Sequence, residues 1–268
     1  MSAHERYRVA EGLDLLRTNP VIDGLLAHRS VRAYLPEPLP EGTIETLVAA
    51  AQSAPSSSNL QVWSVVAVED EHRKARLAAL AGNQKHIVEA PLLLVWLIDF
   101  DRLTQLGQAA GRTPHALDYT ETFLLGAVDT ALAAQNAVVA LESLGLGSVY
   151  IGGIRNHPAE VAEELGLPSR VFPLVGLAVG KPDPHRPASI KPRLPQSSVL
   201  YRERYNWGDE SHDAAAEYNA RLRAFQRQEA LPEIDWTALA LRRTAGPESM
   251  AGRDRLKGIL QDRGFALR

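Results

Sequence analysis

The stretch Pro91-Leu92-Leu93-Leu94-Val95-Trp96-Leu97-Ile98 restricts the fold more than any other. From Leu92 to Ile98 every residue is apolar, so a strand here presents apolar side chains to both of its faces. Such a strand needs helices covering both sides of its sheet. The run is far short of the ~20 residues that cross a bilayer. It therefore predicts a central strand in a layered, mixed α/β protein. Over 268 residues, 45% apolar and 23% charged, the chain has length and composition for one large core or two modest ones.

The remaining pattern supplies partners for that strand. Val62 to Glu69, Ser148 to Ile151 and Val171 to Val179 read as further strands, although their order cannot be derived from the sequence. Val9, Leu13 and Leu16, then Val21, Ile22, Leu25 and Leu26, recur at helical spacing on either side of Asn19-Pro20, which predicts two helices leading into His28. Ile44, Leu47, Val48 and Ala51 form one apolar stripe, with Thr43 as the expected N-cap. Helices are also expected at 71–81 and 157–165, and residues 82–86 read as a polar loop. Residues 101–119 read as a mobile loop or a short irregular helix. The longest helix is predicted from Thr120 to Leu144, closed by Gly145 in the left-handed region. It is apolar or small around most of its circumference, which means a core helix or a subunit interface, with Gly126, Ala127, Ala131 and Ala134 permitting close approach. A loop from Lys181 to Pro195 holds five prolines. Helices at 213–228 and 252–263, with a less regular stretch between them, complete a single domain with a C-terminal excursion.

Several function classes are excluded at this level. The formal net charge of −3 gives no global reason to bind nucleic acid or an anionic membrane. No cysteine is present, which removes disulfides, thiolate nucleophiles and cysteine-ligated metals. There is no H-E-x-x-H, no P-loop and no G-x-S-x-G elbow. Gly145-Leu-Gly147-Ser-Val-Tyr150 lacks the third glycine of a dinucleotide fingerprint and places strand and helix in the wrong order. The charged N-terminus has no signal-peptide core, so a cytoplasmic protein is expected.

Four polar stretches remain as candidate sites. In His28-Arg29-Ser30-Val31-Arg32 an extended backbone turns His28, Ser30 and Arg32 to one side and Arg29 and Val31 to the other. That side is either an anion-binding face or a solvated basic turn. Ser56-Ser57-Ser58-Asn59-Leu60-Gln61 is either a flexible loop or a row of neutral donors for a polyhydroxylated chain. Gly152-Gly153 is either a strand-end turn or a backbone that must pass close to a flat ligand. Lys191-Pro192-Arg193 offers two cations on a rigid turn, either to solvent or to an anion.

Taken in order, HRSVRAY at 28, SSSNLQ at 56, GNQKH at 82, VDTALAAQNAVVALESLGLG at 128, YIGGIRN at 150 and KPRLP at 191 resemble the FMN-dependent nitroreductase family. Within it they are most similar to the oxygen-insensitive NADPH nitroreductase and flavin reductase subgroup. The resemblance covers roughly residues 20–200 of the sequence. It implies an α+β nitroreductase-like fold, with a central, mostly antiparallel sheet flanked by helices and a helical excursion over about 201–268. It also implies bound FMN, NADPH or NADH as electron donor, and a small-molecule acceptor; a homodimer with the 120–144 helix at its interface is expected because a helix small and apolar all round cannot face water. Carried over residue by residue, His28, Ser30 and Arg193 surround the FMN phosphate, with Arg29 nearby. Arg32 and Lys191 lie toward the phosphate or the pyrimidine edge. Ser56, Ser58, Asn59 and Gln84 bond the ribityl chain and ring, and Tyr150, Ile151, Gly152 and Gly153 pass the ring near N5. No side-chain nucleophile and no metal are required, since the flavin carries the chemistry.

The activity implied is transfer of two electrons from NAD(P)H to a nitroaromatic, a quinone or free flavin; the rival is a flavin carrier or sensor without turnover. Two stretches depart from the subgroup. Gln228 to Trp236, where relatives carry an arginine-rich grip for the 2′-phosphate of NADPH, is acidic here. Met250 stands where a substrate-side arginine is expected. Arg221, Arg223, Arg227, Arg242 and Arg243 are the available replacements, and a weak preference for NADPH is expected.

Overall fold

The apolar run at 92–98 is a strand buried along its whole length. The computed structural model describes residues 2–9, 13 and 15–268. In chain order its elements are helices α1 (Ser2–Tyr7), α2 (Pro20–Ala27) and α3 (Thr43–Gln52), strand β1 (Trp63–Val68), helices α4 (Glu71–Leu80) and α5 (Lys85–Glu89), and strand β2 (Leu92–Asp99). Then come α6 (Asp101–Ala109), α7 (Thr120–Ser143), β3 (Gly147–Ile151), α8 (Pro158–Glu164), β4 (Val171–Gly180), α9 (Asp209–Gln228), α10 (Trp236–Arg243) and α11 (Leu256–Asp262). The chain forms two compact units: a sheet unit, Ser30–Ala188 with Ala251–Arg268, and a helical unit, Met1–Arg29 with Ser189–Met250.

In the sheet unit the strand order is β1-β2-β4-β3 and every neighbouring pair is antiparallel. Strand β2 is central, and its period of two sorts its side chains to opposite faces. Leu93, Val95 and Leu97 pack with Leu77 and Ala78 of α4, Ile87 of α5 and Val161 of α8. Leu92, Leu94 and Trp96 pack with Leu47 and Ala51 of α3 and with Ala133, Ala134, Ala137, Val138 and Leu141 of α7. Each fully buried aliphatic side chain contributes about 1.5–3 kcal/mol, so the two-faced run organises both layers. The register slips between Trp96 and Leu97, opposite Val175 and Pro173. Strand β3 pairs only with Gly176 to Gly180, so Pro173 falls beyond it, where a strand tolerates a missing N–H.

Helix α7 ends as predicted. Gly145 has φ of +75°, its N–H donates to the Glu142 carbonyl at 3.1 Å, and the Leu146 N–H donates to the Leu141 carbonyl at 3.0 Å. This bond pair closes a helix with a left-handed residue. Within the unit, burial around the helix is one-sided. One face is buried against the unit's own sheet, including Gly126, Asp129, Ala133 and Ala137, while Leu124 and Val128 are each 56% exposed and Leu132 40%. Gly126 belongs to the inner face, where an added Cβ would lie 2.8 Å from Ile98 and 2.9 Å from Phe100. At 24 residues α7 is long and apolar enough to cross a membrane, but its buried face and buried Asp129 make it a core helix of the sheet unit.

The helical unit is assembled differently. Asn19 caps α2 by accepting from the Ile22 N–H at 2.9 Å, with Pro20 in the first turn. Tyr218 of α9 meets Trp236 of α10 edge to face at 5.9 Å, and Leu222 and Phe225 are buried.

Five expectations are corrected. The helix before Asn19 lies earlier, at Ser2–Tyr7, and Arg8 at φ +54° leaves it; the described residues 9, 13 and 15–19 are not helical, and 10–12 and 14 lie outside the described residues. Gly42, not Thr43, caps α3, and the Thr43 hydroxyl donates to the Pro40 carbonyl at 2.6 Å. The 82–86 loop ends at Gln84, because Lys85 and His86 already open α5. Asp101–Ala109 is a regular helix, with Arg102 N–H donating to Asp99 at its start. The stretch after α9 contains α10, whose apolar positions Trp236, Leu239 and Ala240 share one side of a short helix.

Candidate functional site

In the sheet unit, Ser30 and Val31 lie along β3, where Ser30 bridges Ser148 in parallel and the Val31 N–H donates to the Ser148 carbonyl at 2.9 Å, and Tyr34 then bridges Pro182 in antiparallel fashion. Val31 and Ala33 are buried while Ser30 is half-buried and Arg32 exposed, so the predicted alternation holds from Ser30 to Ala33, whereas Arg29, expected on the side of Val31, is exposed. The chain passes from the helical to the sheet unit after Arg29.

The Ser56–Gln61 loop is held in an unusual shape. Ser58, Asn59 and Gln61 have φ of +49°, +54° and +51°, a region that costs a non-glycine residue roughly 1–2 kcal/mol. Buried Asp129 of α7 braces the loop, accepting from the Ser56 hydroxyl at 2.6 Å and the Ser57 N–H at 3.1 Å. The Ser56 oxygen also accepts from the Gln61 N–H at 2.8 Å. Its only proton is thus committed, and toward a ligand Ser56 can only accept. Asp129 lies within the resembling stretch that begins at Val128 but has no site role in that resemblance; its signal is a carboxylate amid the small and apolar residues of a core helix.

The glycine turn differs at its two positions. A Cβ on Gly153 would meet the Ala81 carbonyl at 2.3 Å and Gln84 Nε2 at 2.5 Å, so Gly153 lets β3 press on the end of α4. Gln84 Nε2 itself donates to the Ala81 carbonyl at 2.8 Å. A Cβ on Gly152 would clash with nothing and would rest in ordinary contact with the guanidinium groups of Arg155 at 3.7 Å and Arg253 at 3.8 Å. Burial first, and the Arg253 charge second, lower the Arg155 pKa. Ile151 is buried, and the Tyr150 hydroxyl reaches Gln135 of α7 at 3.4 Å. Arg253 is a cation missed by attention to position 250; the signal lay three residues further on. His86 Nε2 is buried without a hydrogen-bond partner, and burial, then Arg32, lowers its pKa against Glu89.

In the helical unit, Arg6 joins two motifs. Its guanidinium donates to the carbonyls of Leu26 (3.2 Å), Lys191 (2.7 Å) and His28, and the Arg193 N–H donates to the Arg6 carbonyl at 3.1 Å. The backbones at His28 and Lys191 therefore meet on one side chain. Among the described residues no carboxylate pairs with Arg29, Arg32, Lys191 or Arg193. By contrast, two of the three carboxylates in the acidic stretch after α9 are paired within the unit, Asp235 with Arg223 and Glu233 with Arg227 at 2.7 Å, while Glu229 accepts from the Ser189 hydroxyl at 2.5 Å. Arg242 and Arg243 instead line an open cavity of about 560 Å³ with Trp236, Leu239, Ala240 and Ser249.

The sequence matches the Nitroreductase family over residues 25–181 and the Nitroreductase family, C-terminal domain over 191–268. It is 42% identical over 204 residues to the oxygen-insensitive NADPH nitroreductase of Salmonella typhimurium, spanning 76% of this chain and 81% of the relative. To the FMN reductase [NAD(P)H] of Bacillus subtilis it is 39% identical over 214 residues, 78% of this chain and 84% of the relative. The solved NADPH:FMN oxidoreductase from Vibrio harveyi, complexed with NAD+, superposes with a TM-score of 0.83 at 35% identity, covering 93% of this chain and all of the other. Sequence motifs, the antiparallel sheet and both family matches agree: this chain belongs to the nitroreductase family.

Proposed function

We propose that this chain is an FMN-dependent NAD(P)H oxidoreductase delivering two electrons to a small-molecule acceptor such as a nitroaromatic, a quinone or free flavin. The observation that carries the reading is the glycine turn, bare of a side chain at Gly152 and edged there by the guanidinium groups of Arg155 and Arg253, with the Gln84 amide against Gly153. A flat ring bearing carbonyl and nitrogen acceptors fits a backbone without side chains that is bordered by donors. The buried, unpartnered His86 Nε2 adds a polar atom with capacity to spare. The redox chemistry is that of bound FMN, electrons in from NAD(P)H and out to the acceptor.

The chain's own residues bind and orient. His28, Ser30 and Arg193, with Arg29, take the phosphate; Arg32 and Lys191 take the phosphate or the pyrimidine edge. Four of these are cations without a carboxylate partner among the described residues, which supports an anionic ligand. Ser58, Asn59 and Gln84 donate to the ribityl chain and ring, Ser56 accepts, and Tyr150 to Gly153 supply backbone along the ring. Arg253 places positive charge on the acceptor side. The names of the relatives support the same cofactor and donor. The protein acts as a cytoplasmic homodimer, its contact made by Leu124, Val128 and Leu132 on the outer face of α7, because an apolar stripe of this kind is stable only when covered.

Anaerobic titration of the purified protein with NADPH or NADH tests the reading. Bleaching of the yellow flavin absorbance, followed by its return when a quinone is added, is expected. A protein that holds FMN but is not bleached would be a carrier instead.

A further inference from the structure

Arg6 lies outside every motif the sequence singles out and before residue 25, where the family match begins. It is nonetheless only 6% exposed, and its three nitrogens donate to the carbonyls of Leu26, Lys191 and His28. A guanidinium suits this placement, since its fixed fork of five N–H groups serves several carbonyls at once and stays charged when buried. Docking α1 alone would be served by any free carbonyl at hand. Two of the three used belong instead to His28 and Lys191, and the Arg6 carbonyl binds the N–H of Arg193.

We infer that Arg6 is a positioning residue for phosphate binding: it fixes the backbone at His28 and at Lys191–Arg193 so that their side chains serve one anion. The inference rests on the reading of these residues as FMN phosphate ligands. Arg6 acts through the backbone, and its loss leaves the basic side chains present but no longer held in register. Phosphate recognition is then impaired more than flavin-ring recognition.

The test is titration of the flavin-free, full-length protein with FMN and with riboflavin, which lacks the phosphate. The proteins compared are wild type, Arg6→Ala, Arg6→Lys, Arg193→Ala and the Arg6→Ala/Arg193→Ala pair, each with its thermal unfolding curve. Arg6→Ala is expected to weaken FMN about tenfold or more and riboflavin less than about twofold, with Arg6→Lys between. Arg193→Ala is expected to cost less FMN affinity in the Arg6→Ala background than in the wild type, because residues that act as a unit are not additive. Equal weakening of both flavins, or additive losses, would overturn the inference and leave Arg6 as a brace of the fold. Equal affinity of the wild type for both flavins would overturn the phosphate reading itself. Should Arg6→Ala not fold, Arg6→Lys with and without Arg193→Ala carries the same comparison.

Discussion

The two units solve the same problem with different forces. The sheet unit is built on apolar burial: β2 contributes side chains to both layers, and the aromatic rings of Phe100, Phe123, Phe172 and Phe265 close its far end. The helical unit buries far fewer apolar side chains and leans on polar bonds beside them, with Arg6 on three carbonyls, Arg221 on the Tyr7 carbonyl, Arg8 on Gln228, and the acid pairs of Arg223 and Arg227. Burial scales with area and is not screened by salt, whereas exposed ion pairs are worth little and weaken as salt rises. Substitutions should therefore have larger and more salt-independent effects in the sheet unit.

The sharpest break of this contrast is Gly126→Arg. With Ile98 and Phe100 already at contact distance, the variant should lose roughly 4–5 kcal/mol or more and fail to accumulate as folded protein, which denaturant melts would show. Asp129→Asn probes a polar brace within the apolar layer. It keeps the shape but reverses the donor at Ser56, so a loss of about 1–3 kcal/mol is expected, with weaker FMN binding as the Ser58–Gln61 backbone relaxes. A variant as stable and as tight for FMN as the wild type would remove Asp129 from the loop's support.

Ala131→Arg places charge on the exposed side of the same helix. Sedimentation should show loss of the dimer while the monomer's unfolding stability changes by less than about 0.5 kcal/mol; a dimer that persists would move the interface elsewhere. In the helical unit, Asp235→Asn should cost only about 0.2–1 kcal/mol, less in high salt. Because Arg223 and Arg227 are already paired, kcat/KM should favour NADPH over NADH by less than about a hundredfold, or roughly 2.7 kcal/mol. A stronger preference would mean that Arg242 and Arg243 rebuild the phosphate grip.

The smallest effect concerns pH. His86 is held below its ordinary pKa of 6.5 in the folded state by burial and by Arg32. As pH falls below 6.5 the unfolded chain takes up a proton that the folded chain does not, so stability declines until the lower folded pKa is passed. In His86→Gln that part of the acid slope should disappear; an unchanged slope would assign it to other groups.

What the sequence determined by itself was local and periodic. The two-faced run at 92–98, the stripe of α3, the length of α7 and its glycine stop all follow from side-chain spacing and backbone sterics, which need no knowledge of distant neighbours. The ordered motifs sufficed for the family, because each keeps its residue types at fixed spacing. Tertiary structure decided the rest. Only packing assigned Gly126 to the core and left Leu124 and Val128 on the face turned away from the sheet, since a helix apolar on most sides does not declare which side its own sheet covers. Only three-dimensional proximity brought Asp129 to Ser56, Arg253 to Gly152 and Arg6 to His28 and Lys191. Those bonds join residues far apart in the chain, and no spacing rule encodes a partner that the fold alone brings within reach.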